Sequence, residues 1–212
     1  VPHKVTMNDV KFSVDVMDYI NPDFVCIKNA QKIRDKAREK YGIKYGKKLN
    51  ELYGIRREYI KECIAYDKVK FSVAKNLIDY RQEEILLKGD SQESMKPIIT
   101  LDYDFGYMIG MFVSEGHNYH KKIVISNRNE KTIDNIEKFL NKINYNCYRI
   151  TKNDKFKNHK GEQRSCSFIE IGGILGYFVN QTCSEQKIKI IPSYIIDSCD
   201  SCVEGFLKGF WD

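Results

Sequence analysis

The chain has 212 residues, of which 42% are hydrophobic and 30% are charged, and its formal net charge is +6 at pH 7. This length allows one large domain or two small ones with buried cores. No run approaches the ~18 apolar residues of a membrane span and no secretory signal is visible, so we expect a cytoplasmic, intracellular protein with no membrane partner.

Seven scattered cysteines favour a reducing compartment over a disulfide framework. Cys199 and Cys202 form a C-x-x-C pair, but a zinc site would want a second pair, so packing is the expected role of these two thiols.

Basic residues are concentrated in two tracts. Residues 28–61 contain 12 Lys or Arg against 4 Asp or Glu, and residues 121–164 contain 12 against 5. The rest of the chain is therefore acidic. Concentrated basic tracts are typical of surfaces that meet phosphate backbones, although each tract alone could also be a solvated helix face.

Residues 1–88 are predicted to form a helical domain. Residues 47–61 have the pattern of a helix-turn-helix, in which Gly54 supplies the positive φ of the turn, and a third helix is expected from about Ser72. The alternative is a small helical bundle with no DNA role. In a helix-turn-helix, the second helix would present three basic residues to a major groove: Arg56, Arg57 and Lys61.

Residues 89–100 are polar and turn-rich at their start and are predicted to form a linker to a second domain, 101–212. Residues 117–126 contain one clear strand, and a tight hairpin is suspected there. The periodicity of the second domain predicts an α+β fold. Its expected elements are a helix over 103–115, a strand over 122–126, a helix over 130–144, a strand pair over 145–153 and 164–171, and a helix over 174–180.

Two apolar stretches carry glycines in the same register. Gly106 and Gly110 recur 99 residues later as Gly205 and Gly209, and each pair lies on one helix face, so two helices could pack closely there. The first stretch ends in Glu115, a carboxylate at the negative end of the helix dipole. An amphipathic core helix with glycines that only permit packing would explain either stretch alone.

The two stretches, residues 107–116 and 206–212, together resemble the LAGLIDADG (DOD-type) homing endonucleases, including those embedded in inteins. The resemblance implies a saddle-shaped αββαββα subdomain with one full repeat and the start of a second. Its second carboxylate is expected beyond Asp212, so we expect a truncated region, inactive or restricted to nicking. The implied activity is site-specific, Mg²⁺-dependent hydrolysis of double-stranded DNA.

The same resemblance assigns roles to individual residues. Glu115 would bind Mg²⁺. Lys189, in a Lys-Ile-Ile-Pro segment, would polarise the attacking water or stabilise the charge of the phosphate, and the alternative is an ordinary surface lysine. Which face of the strands reads DNA is left open. The expected DNA contacts of the sheet are Arg149, Lys155, Lys157, Lys160 and Arg164.

Two other functions remain open. The chain could be a sequence-specific DNA-binding regulator that uses the same scaffold without nuclease activity, or an RNA-splicing maturase. The glycine-bearing helices could pair within one chain or between two copies. A composition rich in Lys and Ile hints at a thermophilic archaeal source.

Overall fold

The computed structural model describes residues 10–81, 85–89, 93–119, 121–157, 163–186 and 188–212. It has helices combined with small antiparallel sheets, so the predicted α+β class is confirmed. The helices are α1 (Ala30–Tyr41), α2 (Tyr45–Tyr53), α3 (Arg57–Ala65), α4 (Phe71–Ala74), α5 (Tyr103–Glu115), α6 (Glu130–Lys142), α7 (Gly173–Cys183), α8 (Ser193–Ile196) and α9 (Asp200–Trp211).

The strands form four antiparallel sheets in the described ranges. In order across each sheet, these are β1-β6, β3-β2-β4-β5, β7-β8-β10-β9 and β11-β12. The strands are β1 (Ser13–Asp15), β2 (Cys26–Lys28), β3 (Lys68–Lys70), β4 (Leu87–Lys88), β5 (Ser94–Met95), β6 (Ile98–Thr100), β7 (His117–Tyr119), β8 (Lys122–Asn127), β9 (Tyr148–Lys157), β10 (Gln163–Ile171), β11 (Ser184–Glu185) and β12 (Ile188–Lys189).

The N-terminal part is not wholly helical, which corrects the prediction for residues 1–88. This part contains the sheet β3-β2-β4-β5 in addition to the helices α1, α2 and α3. Val69 pairs with Ile27 across β3 and β2, and both side chains are buried. The third helix predicted from Ser72 is reduced to α4, four residues long, because the Asn76 side-chain amide donates to the Ser72 carbonyl at 2.9 Å in place of the backbone amide that would continue the helix.

Residues 93–100, the greater part of the segment 89–100 predicted as a linker, pack into the core. They contain β5 and β6, and Ile99 of β6 pairs with Val14 of β1 near the start of the described chain. Met95 and Ile99 are both buried. Burial of these apolar side chains outweighs the turn-rich composition that precedes them, and the segment ties the two parts of the chain together.

The second part follows the order α5, β7, β8, α6, β9, β10, α7, which is helix-strand-strand-helix-strand-strand-helix. The suspected hairpin within residues 117–126 is confirmed as β7 and β8. Alternate residues of β8 and β10 enter the core, as a period of two requires. These buried residues are Ile123, Ile125, Ile169 and Ile171.

Helices α5 and α9 pack with their backbones in direct contact. An added Cβ at Gly106, Gly110, Gly205 or Gly209 would lie 2.1–2.2 Å from a backbone carbonyl oxygen of the facing helix. Only a residue without a side chain allows this approach. The structure therefore places the four repeated glycines at one helix–helix contact within a single chain.

Two hydrogen-bonded side chains hold the ends of this arrangement. Asp102 caps α5 by accepting the Phe105 amide at 3.0 Å, and it also accepts Lys142 Nζ at 2.7 Å. The buried hydroxyl of Tyr145 donates to the Gly172 carbonyl at 2.6 Å and thereby joins the end of α6 to the start of α7. Both contacts fix the helices that cover one face of the sheet.

Candidate nucleic-acid interface

The sheet β7-β8-β10-β9 has one covered face and one exposed face. The isoleucines of β8 and β10 face the helices, and the cross-strand register places the residues between them on the other side. Phe168, for example, stands opposite Ile150 on β9 and Ser126 on β8. The positions on this exposed face are His117, Tyr119, Lys122, Val124, Ser126, Tyr148, Ile150, Lys152, Cys166, Phe168 and Glu170.

Lysines and aromatic rings share this face. The Lys152 ammonium lies 5.5 Å from the centroid of the Phe168 ring, a distance at which a cation and a ring attract each other. Lys122 forms an ion pair with Glu170, so its charge is partly compensated within the face. Tyr148 is 63% exposed, which leaves its ring available to a partner. Lys152 is thus the basic group of this face best placed to meet an anion.

Arg149 lies on the covered face of the sheet, and its contact with DNA stays a prediction. Its guanidinium donates to Asp134 at 2.7 Å and to Glu137 at 2.8 Å, and both carboxylates belong to α6 on the covered side. These ion pairs raise the pKa of Arg149 and fix α6 against the edge strand. The neighbouring Thr151 shares a hydrogen bond with Ser167 on the same side.

Four other predicted DNA contacts cannot be placed. Lys160 lies outside the described residues. The other three belong to β9 and β10, but their side chains lie outside what the structure describes: Lys155, Lys157 and Arg164. Their contact with DNA stays a prediction.

Glu115 and Lys189 both lie at the C-terminal end of α5. Glu115 accepts a hydrogen bond from the Asn127 amide at 2.9 Å. Lys189 Nζ donates to the Phe112 carbonyl at 2.8 Å and lies 3.2 Å from the centroid of the Phe112 ring. The positive charge of Lys189 therefore compensates the negative end of the α5 dipole, which the carboxylate of Glu115 cannot do. Burial lowers the pKa of Lys189 to about 8.

The side chains described near Glu115 bear on the predicted Mg²⁺ site. Within the described ranges, no three His, Cys, Asp or Glu residues come together in a group that could hold a metal ion. Glu115 contributes one carboxylate, whereas Asp212 is engaged by Tyr107 at 3.0 Å and by Lys208. Mg²⁺ needs several oxygen ligands in a near-octahedral arrangement. Binding of Mg²⁺ by Glu115 stays a prediction.

The N-terminal helices form a tight turn with a basic surface. Gly54 ends α2 with φ +66°, the conformation expected for the turn before α3. Arg56, Arg57 and Lys61 are all exposed on or beside α3. Their contact with DNA stays a prediction.

The cysteine pair is built into the packing of α9. Cys199 precedes the helix and its thiol donates to the Leu101 carbonyl at 3.2 Å, whereas Cys202 is buried against α5. Burial raises the pKa of the Cys202 thiol, which makes it a poor nucleophile. This environment agrees with a packing role.

Among known protein families, no family model matches the chain. A stretch of 114 residues, or 54% of this chain, is 27% identical to DNA-directed RNA polymerase subunit Rpo1C of Methanocaldococcus jannaschii. The matched stretch covers 13% of that protein's length. Among the described residues, no helix is long and apolar enough to cross a membrane.

This similarity corrects the predicted function. The matched protein is named as a subunit of an RNA polymerase, and this contradicts the prediction of a site-specific homing endonuclease, of a metal-dependent hydrolase and of an intein or protein-splicing context. The RNA-splicing maturase, which belongs to the same prediction, finds no support in it either.

Proposed function

We propose that the chain is a non-catalytic nucleic-acid-binding region of a protein that works in transcription, and that it contacts double-stranded DNA through the exposed face of the sheet β7-β8-β10-β9. The observation that carries the proposal is this face itself, with Lys152 and two aromatic side chains, Tyr148 and Phe168, at positions that no described helix covers. The RNA polymerase subunit supports the transcription context.

The proposal also concerns the fold that presents this face to DNA. The order helix-strand-strand-helix-strand-strand-helix and the contact between α5 and α9 support a saddle of the LAGLIDADG type, used here for binding alone. A curved antiparallel sheet can follow the major groove of duplex DNA, where its lysines meet phosphates and its other side chains meet base edges. In this arrangement Lys189 stabilises the C-terminal end of α5, and Glu115 is held by the Asn127 amide.

Equilibrium binding to a labelled duplex of about 30 bp tests the proposal, and Lys152→Ala is the informative variant. Loss of one phosphate contact should weaken binding several-fold. Lys138→Ala is the matched control, because Lys138 is an exposed lysine on α6, on the covered side of the sheet, and its removal should change the affinity less than twofold. Equal effects of the two substitutions would contradict binding through the exposed face.

Two further arms separate the alternatives. A structured RNA of equal length should compete less well than the duplex at the same salt concentration, and stronger competition by RNA would make RNA the preferred partner. With Mg²⁺ present, the duplex should remain intact. Cleavage that Glu115→Gln abolishes would contradict the non-catalytic proposal.

A further inference from the structure

A groove of about 830 Å³ lies in the N-terminal part of the chain, between the corner that joins α1 to α2 and the helix α3. Apolar residues such as Ile43, which is 94% exposed, and Ile60 contribute to its walls. The groove is an open cleft between helices, not a closed cavity.

The lining of the groove is strongly basic. Five cationic side chains line it, and the carboxylate among its described lining residues is Glu51. Glu51 is itself engaged by Lys47 at 3.7 Å and by Lys48 at 3.2 Å. Several like charges around one cleft repel each other unless an anion lies between them. The cationic residues are Arg34, Lys44, Lys47, Arg57 and Lys61.

Arg34 contributes a partly buried guanidinium to the wall of the groove. Its Nε atom is enclosed by protein and has no hydrogen-bond partner among the described residues. Its guanidinium has an ion pair at 3.5 Å with Asp35, whose side chain is 56% exposed. A guanidinium has five N–H donors and is costly to enclose without acceptors. An anion in the groove would meet the exposed part of this guanidinium beside Asp35, and it would not reach the enclosed Nε atom.

We propose that this groove binds the phosphate backbone of double-stranded DNA, with Arg34, Lys47 and Arg57 as the principal contacts. The inference rests on the proposed function, because it gives the same partner a second contact surface. It also changes the arrangement expected from the sequence. Arg56 is exposed next to Arg57 but does not line the groove, so phosphates would be held between helices rather than by the outward face of α3.

Neighbouring residues of equal charge provide the test. Lys47→Ala and Arg57→Ala should each weaken duplex binding about threefold to tenfold and should lower the slope of log K against log salt by about 1. Lys48→Ala should leave both quantities within twofold, because Lys48 does not line the groove. Arg56→Ala should have a smaller effect than Arg57→Ala. All four positions are exposed, and circular dichroism checks that each variant is folded.

The outcomes distinguish this proposal from the proposed function. If the wild-type chain binds duplex DNA and Lys152→Ala weakens binding, but Arg57→Ala and Lys47→Ala behave as Arg56→Ala and Lys48→Ala do, the groove proposal alone is wrong. If the wild-type chain does not bind duplex DNA, the proposed function fails as well. Displacement of the duplex by a polyglutamate peptide at equal charge would replace DNA by an acidic protein as the occupant of the groove.

Discussion

Replacing Gly110 by alanine should force α5 and α9 apart at their closest approach. The new Cβ would lie 2.1 Å from the Phe206 carbonyl oxygen and 2.8 Å from the Phe210 amide nitrogen. An ordinary contact begins near 3.4 Å, so the helices would have to separate by roughly 1 Å, which a close-packed interior resists. Both opposing atoms belong to a backbone and cannot rotate away.

The cost can be placed at the upper end of what overpacking produces. Inserting a methyl group into a packed core typically costs ~1–3 kcal/mol, and the separation of two helices also weakens dispersion contacts along the whole interface. We expect about 3 kcal/mol for Gly110→Ala. For a chain of this size, each kcal/mol lowers the melting temperature by roughly 2–4 °C, so a fall of about 6–12 °C is expected.

Thermal unfolding followed by circular dichroism measures this effect, and Gly46→Ala is the control. Gly46 is also a helical glycine, but a Cβ there meets only Ile60 Cδ1, at 4.0 Å. Its replacement should leave the melting temperature unchanged or slightly raised, since alanine favours helix. A Gly110→Ala protein that melts within about 2 °C of the wild type would refute the close backbone contact between α5 and α9.

Three further changes probe other parts of the fold. Asp102→Ala removes the cap of α5 and should cost about 1–2 kcal/mol in chemical denaturation, more than Asp104→Ala, which removes only an ion-pair partner. Tyr145→Phe removes a donor to the Gly172 carbonyl and the acceptor of the buried Leu175 amide and should cost about 1–3 kcal/mol, whereas Tyr148→Phe should be neutral because that ring is exposed. Burial lowers the pKa of Lys189 to about 8, so between pH 8 and the pKa of the unfolded lysine the native state binds fewer protons than the unfolded state. The stability of the wild type relative to Lys189→Met should therefore rise with pH over that window. The melting temperature of the wild type minus that of the variant measures this, and a value that stays constant or falls as the pH rises would contradict the prediction.

The sequence was a reliable guide where local pattern decides structure. The spacing of Gly106, Gly110, Gly205 and Gly209 predicts a close helix pair, because four-residue spacing places two glycines on one face whatever surrounds them. Periodicity likewise predicts α5, α6 and the strands of the large sheet. Gly54 marks its turn because few other residues adopt positive φ there.

The sequence was a poor guide where distant segments decide. Residues 89–100 look like a linker, but Ile99 becomes part of the core because it pairs with Val14, which lies far away in the sequence. Arg149 looks like a DNA contact, but the face to which it belongs depends on where α6 packs. Lys152, which the sequence analysis did not select, lies on the opposite face from Arg149, and the packing of α6 leaves that face exposed. Composition alone shows neither pairing.

The most direct test of the account is the affinity of the intact chain for duplex DNA, measured between about 50 and 200 mM salt. Contact of two basic surfaces with phosphates predicts that log K falls linearly with log salt, with a slope of several units. The slope should decrease by about 1 for Lys152→Ala and by about 1 for Arg57→Ala, and the two decreases should add. No binding at 50 mM salt, or an affinity that does not depend on salt, would contradict the account.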